Sequence, residues 1–204
     1  MEFYKLVFDR ERIDQSIESG FNTIFGVESN LDEIEFKGVR PGFFRYMIDE
    51  GYEFTDDWPE VKFYYSSLAS DVESEYLLNA WGWPIIHQRV QKEFEGEGVK
   101  GIQYLPIELI DEVTGKVNNN YVVMNVLNVI EAYDMEKSKY NFNETLKKNM
   151  FLPMGECLDK EVCKEYDVFR AIESTTPLYV SEKIKRVVEE SEWIGFDFYK
   201  QWTN

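Results

Sequence analysis

The sequence predicts a single α+β domain in which strands outnumber helices and most strand pairing is antiparallel. Three observations lead to this prediction: an alternating apolar strand at the N-terminus, two long apolar runs separated by turn residues, and a strand–helix–strand pattern at the C-terminus. No linker rich in serine, glycine or proline divides the 204 residues, so we expect residues 1–204 to form one domain.

The first strand is predicted at residues 2–9, because alternate positions such as Tyr4, Leu6 and Phe8 form one mostly apolar row. Several shorter segments have the β-branched and aromatic composition of strands, namely 33–39, 61–65, 166–172 and 178–180. Residues 147–153 are predicted to contain the end of a helix. Most of the secondary structure is therefore expected to be strand.

The two long apolar runs occupy residues 101–110 and 121–130. The segment between them, DEVTGKVNNN, contains a glycine and three consecutive asparagines, which are residues that favour turns. We therefore predict an antiparallel hairpin at about residues 101–130.

A weak internal repeat relates two segments that lie 94 residues apart and begin near Ile85 and Tyr179. In each segment the predicted order is a short apolar strand, a helix cap, an amphipathic helix, a glycine and an alternating strand. His87 and Ser181 occupy the cap positions, where a side chain can accept a free backbone N–H of the first helical turn. Both segments are therefore predicted to form strand–helix–strand units.

The helix of the second segment shows one apolar stripe formed by Ile184, Val187 and Val188. We expect this stripe to face the core. Gly195 follows the helix and suits its exit, because glycine adopts the left-handed backbone conformation found after helix ends.

The composition excludes several classes of protein. There are 39 acidic and 22 basic residues, a formal charge of −17, whereas nucleic-acid binders need clustered lysine and arginine. The first ten residues include the charged Glu2, Lys5, Asp9 and Arg10, so the apolar core of a secretory signal peptide is not expected there. A membrane-spanning helix is not expected either, because no apolar run approaches the required ~18 residues. With two cysteines, a disulfide scaffold is not expected either. The predicted location is the cytoplasm.

Catalytic signatures are almost absent from the sequence. His87 is the only histidine, and Cys157 and Cys163 have the wrong spacing for redox or zinc motifs. Residues 96–101 match G-x-G-x-x-G, but a helix is predicted before this motif and a strand after it, the reverse of a nucleotide-binding site. We assign no catalytic residue, no metal ligand and no cofactor. A carboxylate pair acting on a substrate, or a carboxylate metal site, remains an open alternative.

An acidic and aromatic stretch covers residues 49–75. It contains nine acidic residues against Lys62 alone, interleaved with six aromatic residues. Aromatic anchors surrounded by carboxylates suit the docking of a basic protein partner. The alternative is that the aromatic side chains face the core and the acidic residues are simply solvated. The candidate partner-binding residues are Asp56, Asp57, Trp58, Glu60, Trp81 and Trp83.

Several segments of the sequence resemble a family of bacterial immunity proteins that is linked to polymorphic toxin systems. The longest is residues 125–138, NVLNVIEAYDMEKS. The others are FYKL at 3–6, GIQYLPIE at 101–108, DVFR at 167–170, VSEK at 180–183 and GFDF at 195–198. The resemblance implies a protein that binds and neutralises a cognate toxin domain inside the producing cell. It carries over no catalytic residue.

The predicted function is therefore that of a non-enzymatic immunity protein that occludes its toxin through the acidic and aromatic surface. Two alternatives stay open: an uncharacterised enzyme with a carboxylate-based site, and an acidic structural or scaffolding protein. The predicted partner is a toxin protein, with no nucleic acid and no membrane. Neither the identity of the toxin nor the oligomeric state is predicted.

Overall fold

The computed structural model describes residues 1–9, 28–39, 42–68 and 74–204. These residues form an α+β fold that is rich in strands, as predicted. The helices are α1 (Tyr46–Asp49), α2 (Gln88–Gly96), α3 (Lys160–Cys163) and α4 (Glu182–Glu190). The strands are β1 (Phe3–Phe8), β2 (Glu28–Ser29), β3 (Lys62–Tyr65), β4 (Tyr76–Leu77), β5 (Ile85–His87), β6 (Ile102–Pro106), β7 (Glu108–Asp111), β8 (Val117–Asn118), β9 (Tyr121–Val126), β10 (Val129–Ile130), β11 (Tyr140–Asn143), β12 (Lys148–Phe151), β13 (Cys157–Leu158), β14 (Val168–Ala171), β15 (Ser174–Ser181), β16 (Phe196–Lys200) and β17 (Trp202–Thr203).

Two sheets share one plan of strand order and connection. In the first, of order β4–β5–β9–β6, helix α2 joins β5 to β6, and both of these strands pair antiparallel with β9. In the second, of order β10–β14–β15–β1–β16, helix α4 joins β15 to β16, and both pair antiparallel with β1. The predicted strand–helix–strand plan of the two related segments is confirmed.

The two sheets contribute to three hydrophobic cores. One face of each sheet and the apolar sides of α2 and α4 form the central core, which includes Tyr4, Ile86, Phe94 and Ile184. The opposite face of the first sheet, which includes Ile85, packs in a second cluster that we call the first outer core. The opposite face of the second sheet packs in a third cluster, the second outer core, which includes Phe3, Phe169 and Tyr179. Because neighbouring strand residues point to opposite faces, Ile85 and Ile86 lie in different cores.

The predicted hairpin at 101–130 is only partly correct. Strands β6 and β9 do pair antiparallel, from Ile102 opposite Val126 to Pro106 opposite Val122. However, β7 pairs with β3 and β8 in another four-stranded sheet of order β2–β3–β7–β8, and β10 pairs with β14. Pro106 has no N–H with which to continue the ladder, and Ile107 is buried in the first outer core.

Two other local predictions are wrong. Residues 33–39 form turns with one isolated bridge between Phe36 and Val39, because Lys37 and Gly38 both adopt positive φ angles, of 40° and 75°. Residues 147–153 contain no helix end but the strand β12, which pairs with β11 in a separate two-stranded hairpin. Lys147 takes a positive φ of 52° in the loop of that hairpin.

The helix ends agree with the predictions at one position and differ at two. His87 is the N-cap of α2, and its Nδ1 accepts the Arg89 N–H at 3.1 Å, as predicted. Ser181 is the N-cap of α4 but its hydroxyl donates to Asp167 at 2.8 Å and accepts no helix N–H. Glu192, with a φ of 54°, takes the left-handed position directly after α4, whereas the positive φ of Gly195, 99°, comes three residues later, just before β16. Gly195 is needed elsewhere, because a Cβ there would collide with Ser74 and the Tyr76 carbonyl.

Candidate partner-binding surface

Trp83 lies in the first outer core and not on the surface. Its side chain is 1% exposed, and its indole N–H donates to the Arg45 carbonyl at 2.8 Å. The ring contacts Phe44, Phe63 and Trp58 at centroid distances of 6.0–6.2 Å. The prediction that Trp83 contacts the partner is therefore corrected. Trp83 is a core residue that packs against Trp58 and binds the backbone of Arg45.

Trp58 lies at the edge of the same core. It is half-buried, its ring is 4.8 Å from Phe54, and its indole N–H donates to the Pro106 carbonyl at 2.8 Å. The hydrogen bond fixes the orientation of the indole, so that only part of the ring reaches solvent.

Trp81 is half-buried and belongs to a surface group that we call the aromatic cluster, formed by Phe43, Tyr46 and Trp81 around Arg45. The Arg45 guanidinium lies 4.5 Å from the Trp81 ring and 4.8 Å from the Tyr46 ring, and it donates to the Tyr46 hydroxyl at 2.9 Å. Phe43 and Tyr46 are 52% and 43% exposed, with their rings 5.8 Å apart. Trp81 is held by a 2.5 Å hydrogen bond from its indole N–H to Ser29.

Helix α1 and the turn that leads into it, where the Tyr46 N–H donates to the Phe43 carbonyl at 3.1 Å, explain why this cluster forms. Phe43 and Tyr46 are three residues apart and point outwards together, whereas Phe44 and Ile48, four residues apart, are buried in the first outer core. Phe43, Arg45 and Tyr46 were not among the predicted site residues. The spacing of the aromatic residues in FFRY, 43–46, is the signal in the sequence that indicates one buried and one exposed side.

The acidic stretch does not form one free acidic face. Four of its nine carboxylates make ion pairs within the chain: Asp49 with Arg170, Asp57 with Lys37, Glu60 with Lys62, and Glu75 with Arg89. Asp71 and Glu73 lie outside the described residues. The remaining three, Glu50, Glu53 and Asp56, are exposed, and we call them the open carboxylates.

The ion pairs make two of the predicted residues, Asp57 and Glu60, less available to a basic partner. The hydrogen bond from Lys37 holds the pKa of the Asp57 carboxyl below its usual value. Glu60 lies 2.8 Å from Lys62, which is also near Glu108. A basic partner would have to compete with these lysines, so Asp56 is the predicted acidic residue that is most available to a partner.

Three buried titratable side chains, Glu75, Cys157 and Cys163, have structural roles. Glu75 is buried and accepts the Ile194 N–H at 2.7 Å. Cys157 and Cys163 are buried free thiols, and burial raises the pKa of Cys163 to about 12. In residues 96–101, helix α2 ends at the first glycine of G-x-G-x-x-G and β6 follows the last, the order predicted from the sequence. Within these ranges no group of three or more His, Cys, Asp or Glu is arranged to hold a metal ion.

A cleft of about 510 Å³ lies between β1, the middle of β15 and the segments 76–79 and 82–84. It is lined mainly by apolar side chains together with Lys5, Asn79 and Arg170. Arg170 donates to the carbonyls of Thr175 and Thr176, and Asn79 bonds the backbone of Trp83. These polar groups therefore hold the walls of the cleft together.

None of the helices in the described ranges has the length and apolar character needed to cross a membrane. A comparison with curated proteins finds no match to this sequence. A comparison with family models finds the immunity protein family Imm11, matched over residues 8–203. Because this match covers nearly the whole chain, the protein belongs to the immunity protein family Imm11, which implies that it neutralises a toxin.

Proposed function

We propose that the chain neutralises its toxin by covering it, without chemistry on it, and that the aromatic cluster and the open carboxylates form the contact. The observation that supports this most is that Phe43 and Tyr46 are exposed around Arg45, with the half-buried Trp81 ring against the guanidinium. The chain segment that carries Arg45 continues into the exposed Glu50, Glu53 and Asp56. Aromatic side chains and arginine are the residue types that dominate binding energy at protein interfaces.

The rigidity of the cluster favours this role. Arg45 lies against two rings, Trp81 is hydrogen-bonded to Ser29, and Trp83 fixes the backbone of Arg45 from the core. Side chains that are already ordered lose little conformational entropy when a partner binds. The cluster can therefore present a preformed apolar contact.

The open carboxylates indicate the chemistry of the partner. Three exposed carboxylates in a chain of charge −17 attract a basic surface over a distance and repel an acidic one. A basic catalytic cleft that binds a phosphate backbone, as in a nuclease toxin, fits this charge. Asp57 and Glu60 are part of the same surface but contribute less, because Lys37 and Lys62 already neutralise them.

The test is stopped-flow binding to the cognate toxin domain, at low and high ionic strength. The triple variant Glu50→Gln, Glu53→Gln, Asp56→Asn should associate about tenfold more slowly at low salt and like wild type at high salt, where the Debye length is short. Trp81→Ala should instead speed dissociation with little effect on association, because an aromatic anchor acts at short range.

The matched control is Glu93→Gln, Glu97→Gln, Glu165→Gln, which removes three exposed carboxylates from elsewhere on the chain. If this control slows association as much as the triple variant, net charge and not this surface steers the toxin. Complete neutralisation at one chain per toxin supports occlusion. Protection by far less than one chain per toxin, with modification of the toxin, would establish the enzymatic alternative.

A further inference from the structure

We propose that the β11–β12 hairpin is the contact through which two copies of this chain form a symmetric dimer. The hairpin is a two-stranded sheet, and no other described strand pairs with it. Only its root is packed, where Phe151 contacts Tyr133 at a ring distance of 4.8 Å and Tyr140 at 5.6 Å. An isolated two-stranded hairpin is marginally stable in water and gains from a third strand or a covering surface.

The outer part of the hairpin exposes large apolar side chains. Phe142, Leu146 and Met150 are 52%, 59% and 46% exposed, and Leu152 and Met154, which follow β12, are exposed as well. Phe142 lies opposite Asn149 whereas Met150 lies opposite Asn141, so the two apolar side chains belong to opposite faces of the sheet. Pairing along an edge continues both faces at once and would therefore give the apolar side chains on each face new neighbours from the other copy.

The charge along the hairpin indicates what pairs with it. The tip, residues 144–148, has Lys147 and Lys148 against Glu144, a net charge of +1 in a chain of −17. The root, residues 131–143 and 149–159, has five carboxylates against two lysines, a net charge of −3. In an antiparallel, two-fold arrangement each tip lies over the root of the other copy. The hairpin is therefore electrostatically complementary to itself.

Other occupants fit this charge less well. An anionic bilayer would be repelled by the charge of −17 that surrounds the small basic tip. A basic toxin would meet Lys147 and Lys148 at the tip. The hairpin root also packs on the second outer core, whereas the aromatic cluster borders the first. A dimer through the hairpins therefore leaves the proposed toxin-binding surface open.

Sedimentation velocity of the full chain over a hundredfold range of concentration tests the proposal. We expect a reversible monomer–dimer equilibrium in the wild type. Reversing the tip with Lys147→Glu and Lys148→Glu should weaken the dimer about tenfold, and reversing the root with Glu131→Lys and Glu136→Lys should do the same. The chain with all four substitutions should dimerise again, because tip and root become complementary once more. These four side chains are exposed, so the fold is expected to tolerate the changes.

The apolar contribution is tested by Phe142→Ser with Met150→Ser, which should leave a monomer. The matched control is Val113→Ser with Val117→Ser, two valines that are 48% and 43% exposed on and before β8 and should have no effect. A wild type that stays monomeric at every concentration overturns the proposal, as does a dimer that none of the hairpin variants weakens. Hairpin-dependent binding to phosphatidylglycerol vesicles, or to the toxin, by a chain that does not self-associate also overturns it.

Discussion

Arg170 and Asp49 form an ion pair of 3.3 Å that connects strand β14 to helix α1, across 121 positions of the chain. Arg170 is fully buried, and it also donates to the carbonyls of Thr175 and Thr176 at 2.7 and 2.8 Å. These carbonyls lie where the β14–β15 register shifts between Phe169 and Ala171. The guanidinium therefore satisfies backbone groups that the irregular ladder leaves unpaired, while Asp49 balances its charge.

Replacing Arg170 with Met should destabilise the protein by about 3–5 kcal/mol, because two part-buried carbonyls and the Asp49 carboxylate would lose their partner. Urea denaturation at neutral pH measures this free energy of unfolding. Burial already raises the pKa of Asp49 despite the neighbouring arginine, so its carboxylate is sensitive to the loss. A change below about 1 kcal/mol would show that water replaces the guanidinium and that the pair is dispensable.

The two tryptophans of the WGWP segment should respond differently to truncation. Trp83→Ala removes a fully buried indole and should cost about 3–5 kcal/mol of stability. Trp81→Ala removes a half-buried ring and should cost about 1 kcal/mol, while weakening toxin binding. Thermal denaturation combined with a binding assay on both variants separates the two effects. Equal losses of stability would place both rings in the core and remove Trp81 from the proposed interface.

His87 should act only as a helix cap. Its Nδ1 accepts the Arg89 N–H, and its ring lies edge-on to Tyr121 at 5.1 Å. His87→Asn should stay within about 0.5 kcal/mol of wild type, whereas His87→Ala should cost about 1 kcal/mol, since asparagine caps well and alanine does not. Denaturation curves and toxin neutralisation are measured together. A folded His87→Asn protein that no longer neutralises the toxin would point to a chemical role for the imidazole.

Helix α4 should contribute to the core and not to an interface. Ile184 is fully buried in the central core, so Ile184→Ala should cost about 2–5 kcal/mol. The control on the same helix is Arg186→Ala, an exposed position whose change should be close to neutral. Unfolding by urea distinguishes the two variants. Unaltered stability of Ile184→Ala, together with weaker toxin binding, would assign the helix to the partner.

Asp134 should make stability depend on pH in the acidic range. Its carboxylate accepts hydrogen bonds from the Lys137 ammonium at 2.9 Å and the Asn204 amide at 3.0 Å, which lower its pKa to about 2. The folded pKa lies below the unfolded value of about 4, so the stabilisation is complete above pH 4 and is lost as the pH falls through 2. Urea titrations at several pH values should show that the free energy of unfolding falls less steeply with decreasing pH in Asp134→Asn than in wild type. The same dependence on pH in both proteins would exclude a contribution from Asp134.

The sequence by itself determined those features that depend on neighbouring residues. The alternation around Tyr4 and Leu6 specified β1, and the stripe of Ile184, Val187 and Val188 specified the buried side of α4. The cap at His87 followed from its position before an amphipathic helix. Each of these depends on a period or a backbone group within a few residues, so composition and spacing are sufficient to predict it.

Only the tertiary structure decided which partners these elements have. Residues 101–110 are continuously strand-like, yet β6 and β7 enter different sheets, because an apolar run does not specify which edge it pairs with.

The same limit applies to side chains in the acidic and aromatic region. Trp81 and Trp83 have nearly the same neighbours in sequence, but the turn at Gly82, with a φ of 69°, directs one towards Arg45 and the other into the core. Asp57 forms an ion pair with Lys37, which lies twenty positions earlier in the chain. Burial and ion pairing arise from residues that are distant in sequence, which is why local patterns could not assign them.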